Sequence, residues 1–287
     1  MNRKLSIFLI FILSAPLGVF AQIPDIDSLK NILPTAKGKV RLTILNELST
    51  HLREVEQQVA FDYATEAEKL AQKLKDKSGE AIAKENIGWI YYRRGQWKKT
   101  FTYSKEAYEL SIESNNLEEA SRVLNSMGAL YYEQQNYSMA IAQFKKAYEI
   151  SSKSDDFYTM IRSLNNIAFN FIKLDELDSA MYYASKAIET NDNAGSPYLL
   201  SFSNRVIGDV YLKNNHLDSA ERIFEKAYEN AEIRGLTSFK ASLLHRLGEA
   251  YLLNGKAEQA KKVLLEGVEL SSQNNLLDEL SKSHKYL

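Results

Sequence analysis

Ser121–Ile150 reads SRVLNSMGALYYEQQNYSMAIAQFKKAYEI. Apolar and small residues recur at helical spacing on both sides of a polar break at Gln135–Asn136, so the stretch predicts two amphipathic helices joined by a tight turn. With Ser121 as position 1, position 4 is Leu124, position 7 Met127, position 8 Gly128 and position 11 Tyr131. Position 20 is Ala140, position 24 Phe144 and position 27 Ala147. Small side chains stand where two helices must approach, with Gly128 facing Ala140, and large ones fill the space left over.

Moving the start of the window from Ser121 back to Ala81, or on to Ile161, returns the same pattern. Position 8 holds Leu48, Gly88, Gly128, Ala168, Gly208 and Gly248, and position 11 holds His51, Tyr91, Tyr131, Phe171, Tyr211 and Tyr251. Position 20 holds Ala60, Thr100, Ala140, Ala180, Ala220 and Ala260, and position 27 holds Ala67, Ala107, Ala147, Ala187, Ala227 and Gly267. A constant period in this range predicts an array whose units bury their apolar faces only against their neighbours.

The pattern Leu124, Met127, Gly128, Tyr131, Ala140, Phe144 and Ala147 resembles the tetratricopeptide repeat (TPR) family over roughly residues 41–270. The resemblance implies an all-α, right-handed superhelical solenoid of six helix-turn-helix repeats with short capping helices. The period of 40 exceeds the usual 34, and the family's proline at the end of each unit is missing, only Pro197 lying within the array. Longer-period arrays of this family occur in peptide-sensing regulators and in scaffolding proteins.

The expected layout begins with residues 1–21, a secretory signal peptide. Arg3 and Lys4 precede an apolar run over Leu5–Leu13, and Val19 and Ala21 suit cleavage after Ala21. Residues 22–40 form an N-terminal cap helix, Ile26–Leu33, and a linker closed by Gly38. The repeats follow over 41–273, at about 41–80, 81–120, 121–160, 161–200, 201–240 and 241–273. Residues 274–287 are either a C-terminal cap helix or the start of a truncated seventh repeat. Turns between repeats are expected at Lys77–Gly79, Asn115–Asn116, Asp155–Asp156, Asn191–Gly195 and Gly235. The export signal makes the protein periplasmic or cell-surface.

Composition narrows the chemistry. Without the two cations of the signal, 34 basic residues face 37 acidic ones, a net charge of −3 with no basic stripe, which disfavours nucleic acid. Cysteine is absent, excluding disulfides, thiol catalysis and Cys-ligated metals. The four histidines, His51, His216, His245 and His284, lack ligand spacing, and no HExxH, GxSxG, P-loop or GxGxxG occurs. No cofactor, no metal and no enzyme activity are expected. A hydrolase using Asp209 and Glu249 is the remote alternative.

A surface remains. In the resembled family the first helix of each repeat lines the concave face, which makes Trp89, Tyr92, Tyr132 and Phe169 aromatic anchors there. Asn125 and Asn165 stand one repeat apart and offer amides to an extended peptide backbone, as Asn ladders do in peptide-binding members. Arg122, Arg162 and Arg205 supply forks for a carboxylate. The carboxylate clamp of chaperone-binding members is not matched. The expected function is non-catalytic binding of a protein or peptide segment, as the sensor part of a membrane signalling protein. A free-standing periplasmic assembly adaptor is the alternative.

Overall fold

A computed structural model describes residues 26–233, 237–274 and 276–287. The expected export signal lies outside them. Fourteen helices and no strand occur among the described residues. The first, α1, spans Ile26–Ile32. Six pairs follow: α2 (Gly38–Leu52) with α3 (Gln57–Leu74), α4 (Lys77–Arg93) with α5 (Trp97–Glu113), α6 (Leu117–Glu133) with α7 (Tyr137–Ser151), α8 (Phe157–Lys173) with α9 (Leu177–Ala194), α10 (Pro197–Lys213) with α11 (Leu217–Ile233), and α12 (Thr237–Leu253) with α13 (Ala257–Gln273). Helix α14 is Leu277–Tyr286. The fold is the all-α tetratricopeptide type that the period implies. The chain divides into two compact units within α8, one ending at Ser163 and the other running from Leu164.

The turns explain the long period. A 17-residue helix, a three-residue turn, a second 17-residue helix and another three-residue turn carry the chain through one full period, from Lys77 to Asn116. Nine of the turns among the described residues have a left-handed residue at a fixed place: Lys75, Gly95, Asn115, Gln135, Asp155, Asp175, Gly195, Asn215 and Gly255; the turn between α2 and α3 has none. In most of them the following N–H closes back on a carbonyl five residues earlier, as in Gln96 to Tyr91 and Asn136 to Tyr131, both 2.9 Å. This is the Schellman closure, which satisfies carbonyls that a helix end leaves open. The left-handed positions therefore recur at half the sequence repeat.

From α4 onward the first helices of the pairs start four residues earlier than the sequence frame places them. Their N-caps are Asp76, Asn116, Asp156 and Ser196, whose side chains accept the N–H of Gly79, Glu119, Thr159 and Leu199. Lys77–Gly79 is thus the first turn of α4, and the turn itself is Lys75–Asp76. Gly79 is small because a Cβ there would lie 2.5 Å from Leu42 Cδ2. Gly38 likewise opens α2 instead of closing a linker.

Within the first unit, α2 touches α4 and α4 touches α6, while the second helix of each pair touches only its neighbours in sequence. The second unit repeats this, with α10 on α12 and α12 on α14. Each unit is therefore two layers, the first helices forming one and the second helices the other. Gly128 makes room not for Ala140 but for Phe144, since a Cβ on it would lie 2.5 Å from the ring. Gly208 does the same for Phe224 and Gly248 for Leu264. Where position 8 is larger, position 24 is smaller: Ala168 is matched with Ala184 and Leu48 with Ala64. All six position-24 side chains are buried. In these pairs a larger side chain at one position goes with a smaller one at the other, so that the close-packed interior is not overfilled, whereas Gly88 and Ser104 are small on both sides.

Helix α1 covers the first pair. Its Leu29 is buried against Ile44 and Leu48, with Ile26 and Leu33 beside them. Burying one such leucine stabilises by about 1.5–3 kcal/mol, enough to hold a short helix that has little stability alone.

Candidate peptide-binding face

Six of the nine residues expected to bind lie in the first unit. Trp89 stacks on Tyr92 at 4.9 Å between ring centres, and Arg53 lies 5.2 Å above the indole. The indole N–H donates to Glu54, which also holds Arg93 at 3.7 Å. Tyr92 donates its hydroxyl proton to Glu133 at 3.1 Å, and burial first, then Glu133, pushes its pKa up. Tyr132 packs on Tyr137 at 5.5 Å. Trp89, Tyr92 and Tyr132 are all buried. They form rigid walls, with the indole and the Tyr92 hydroxyl tied down by carboxylates.

Asn125 is fully buried. Its amide donates to Ser121 O at 3.1 Å and to Ser163 Oγ at 3.0 Å, so it ties α6 to α8. Nearby, Asn86 donates to Asn46 O and to Thr50 Oγ1 and accepts from Arg53 Nη1 at 2.9 Å. Asn46 in turn donates to Gly79 O at 3.0 Å. The polar ladder of this layer is thus position 6, one residue beyond the expected column, and it joins helices to one another.

Charge is concentrated here. Arg122 pairs with Glu119, and Ser126 donates to Glu85 at 2.5 Å. Glu85 is 2% exposed. Burial pushes its carboxyl up to about 7 against the opposing pull of Arg53. Arg162 is buried as well, at 8% exposure, and burial lowers its pKa, with Arg53 and Arg122 adding to the effect. No carboxylate lies within ion-pair distance of Arg162 among the described residues, and its Nε has no hydrogen-bond partner.

The other three residues lie in the second unit. Phe169 carries Lys173 at 5.3 Å and Arg205 at 5.7 Å from its ring centre. Arg205 also reaches Asp209 at 3.9 Å. Asn165 is fully buried, and neither atom of its amide has a hydrogen-bond partner among the described residues. Asp209 and Glu249, the remote hydrolytic pair, both engage Arg246, at 3.1 and 3.0 Å. Arg246 is drawn up by Asp209 in consequence.

Arg53 and Asn86 belong to the cluster without having been expected there. Asn46, Asn86 and Asn166 show a column at position 6 that the sequence displays openly. Arg53 gives no such signal, because it follows the end of α2 and belongs to no helix pattern. On the second-helix side of the first unit, an open pocket of about 610 Å³ is lined by Trp97, Phe101 and Tyr103 of α5 with Tyr131 and Gln134. Among the described residues no cluster of His, Asp and Glu could hold a metal ion, and no helix is long and apolar enough to cross a membrane.

A profile described as "Tetratricopeptide repeat" matches residues 81–153, and a second of the same description matches 206–233 and 241–274. No curated protein matches the chain in sequence. Among solved structures, aspartyl phosphate phosphatase F from Bacillus subtilis superposes with a TM-score of 0.67 at 16% identity, over 85% of this chain and 63% of that one. The Rap conjugation gene regulator of plasmid pLS20, solved with the Phr* peptide, gives 0.64 at 17% identity, over 90% of this chain and 77% of that one. A signal transduction ATPase with numerous domains from Pyrococcus horikoshii, which has a tetratricopeptide repeat sensor, gives 0.63 at 17% identity, over 90% of this chain and 41% of that one. At these identities the likeness concerns the fold. With the period, the paired helices and the matched segments, the chain is a tetratricopeptide-repeat protein.

Proposed function

We propose that this protein is a non-catalytic binding scaffold that takes a peptide or protein segment on the layer of first helices. The observation that carries the reading is the cluster of Trp89, Tyr92, Arg53, Arg122 and Arg162, in which stiff aromatic walls stand beside guanidinium groups. Preorganised aromatic and arginine side chains are the residues that dominate binding energy at interfaces. The fold-level likeness to a regulator solved with a peptide supports it by analogy. A photo-cross-linking residue placed at Trp89, with a control at Phe101 on the second-helix side, tests the face. Peptides from the exported fraction should be captured at position 89 and not at 101. Equal capture at both would refute the assignment.

The finer reading is a periplasmic or cell-surface protein that serves as the sensor part of a membrane signalling protein. The charged and apolar pattern of residues 1–21 supports export. Fusing those residues to alkaline phosphatase, which is active only outside the cytoplasm, tests it. The sensor role requires that the coding sequence run past Leu287 into a membrane helix and an effector domain. A stop codon there, with a stable multiprotein complex on purification, would favour the assembly adaptor.

A further inference from the structure

Arg162 is the one arginine of the cluster with no ion-pair or hydrogen-bond partner among the described residues. Arg122 has Glu119, Arg93 has Glu54, and Arg53 donates to Asn86. A buried cation without a counter-charge is costly, because the interior does not replace the water it has lost. Folding puts the guanidinium in that position on α8, within reach of the charges of Arg53 and Arg122. The carboxylate that acts on it, Asp156, is engaged by the N–H of Thr159, and those that act on Arg53 and Arg122 are engaged too: Glu119 by Arg122 and Glu85 by the hydroxyl of Ser126. Glu85 is moreover only partly ionised near neutral pH. The cluster is thus short of negative charge at a buried point beside the aromatic walls.

Building on the scaffold reading, we infer that Arg162, with Arg53 and Arg122 beside it, seats a carboxylate of the bound peptide, either its free C-terminus or an acidic side chain. A planar carboxylate matches the guanidinium fork with two parallel hydrogen bonds, and such charge-assisted bonds strengthen where water is excluded. Arg205, the third arginine that the sequence offers for this task, is not part of the seat: the arginines that act on Arg162 are Arg53 and Arg122, while Arg205 sits on Asp209 and the ring of Phe169. The residue N-terminal to a seated C-terminus would meet Trp89, which Arg53 links to the seat.

Four probes at millimolar concentration test the seat on the full chain. They are acetyl-triglycine as the free acid, the same peptide as its C-terminal amide, acetyl-Gly-Asp-Gly-amide, and inorganic phosphate. The readouts are the Arg162 side-chain Nε–H resonance, assigned with Arg162→Lys, and the melting temperature. The free acid alone moving the resonance identifies the C-terminus as the source, the aspartyl amide alone identifies a side chain, and either supports the proposal. Arg162→Met should abolish the rise in melting temperature that carboxylate gives and leave the probe-free protein melting no lower than the parent, since an unpaired buried cation has been replaced by an apolar chain of similar length. The proposal is overturned if neither carboxylate moves the resonance, if the triglycine amide moves it equally, or if phosphate does so as strongly. It is overturned too if the Met variant melts lower while still responding to carboxylate. Cross-linking at position 89 judges the scaffold reading separately, so capture there without a carboxylate response would retain the scaffold and remove the seat.

Discussion

Gly128 and Phe144 offer a test of how tightly a large side chain at one position depends on a small one at the other. A methyl group on Gly128 would stand 2.5, 2.7 and 2.8 Å from three atoms of the Phe144 ring. The ring is 0% exposed, so relief would have to come from neighbouring core side chains. Alanine gains about 1 kcal/mol over glycine in a helix interior, but overpacking a filled core costs about 1–3 kcal/mol. Gly128→Ala should therefore destabilise by up to about 2 kcal/mol. Phe144→Ala alone should cost about 3–5 kcal/mol through the cavity it leaves. In the Phe144→Ala background, the same Gly128→Ala change keeps its helical gain and returns a methyl to the cavity, so it should stabilise by about 1–2 kcal/mol. The sign of one mutation thus reverses with its partner, and the coupling is on the order of 1–4 kcal/mol. Ala168 with Ala184 is the chain's own version of the double variant. Native-state hydrogen exchange of amides in α6 and α7 is the right assay, because repeat arrays unfold locally. A Gly128→Ala change that is neutral or stabilising in both backgrounds would refute the reasoning.

Gln135 holds a φ of 58°, which an L side chain adopts at a cost of about 1–2 kcal/mol. Gln135→Gly should raise the stability of the α6–α7 hairpin and Gln135→Val lower it, as hydrogen exchange in α7 would show. Glu85 is held up at about 7, chiefly by burial, with Arg53, Glu119, Ser126 and Arg122 as its charged and polar surroundings. Between the ordinary carboxylate pKa of about 4.5 and 7 the folded state binds more protons than the unfolded, so stability falls as pH rises through that window. Glu85→Gln should abolish this part of the pH dependence in urea titrations at pH 5 and pH 8; an unchanged difference would exclude Glu85 as its source. Glu279 behaves oppositely. Burial works against its charge, but His245 at 3.0 Å and Lys282 at 2.7 Å outweigh it and hold the carboxyl at about 2. Its stabilising effect is present above the ordinary carboxylate pKa and lost as pH falls towards 2. Glu279→Gln should speed exchange in α14 at neutral pH, with a loss of about 1–3 kcal/mol in its local opening.

Periodicity carries the fold openly, because every repeat solves the same packing problem with the same residue types. It carries pairings less well. Position 20 is uniformly small and so seems the natural partner of Gly128, whereas the ring that fills the space sits four residues on, at Phe144. Gly79 has the look of a turn residue, yet it is small because Leu42 presses on it within α4. At the candidate site the aromatic walls and two of the arginines are visible as columns. The amide of Asn125 is taken by Ser163, which stands at a different position of the next repeat. Comparison of like positions passes over that contact. Arg53 is invisible for a similar reason, since it stands in a turn and reaches the cluster only in three dimensions.

The left-handed turn residues, recurring at half the length of the repeat, give the chain two nested units of editing. Removing one whole repeat from turn to turn would bring together helices of the same layer, and the shortened chain would still find its packing partners. Removing half a repeat would join turns of equal geometry just as smoothly. The splice would set a second-layer helix such as α5 in the place of a first-layer one, facing Gly128 with side chains chosen for the other layer. Backbone closure therefore tolerates half-repeat events that side-chain packing rejects. Insertions and deletions that survive in such a chain should come in whole repeats, with the break points at the left-handed residues.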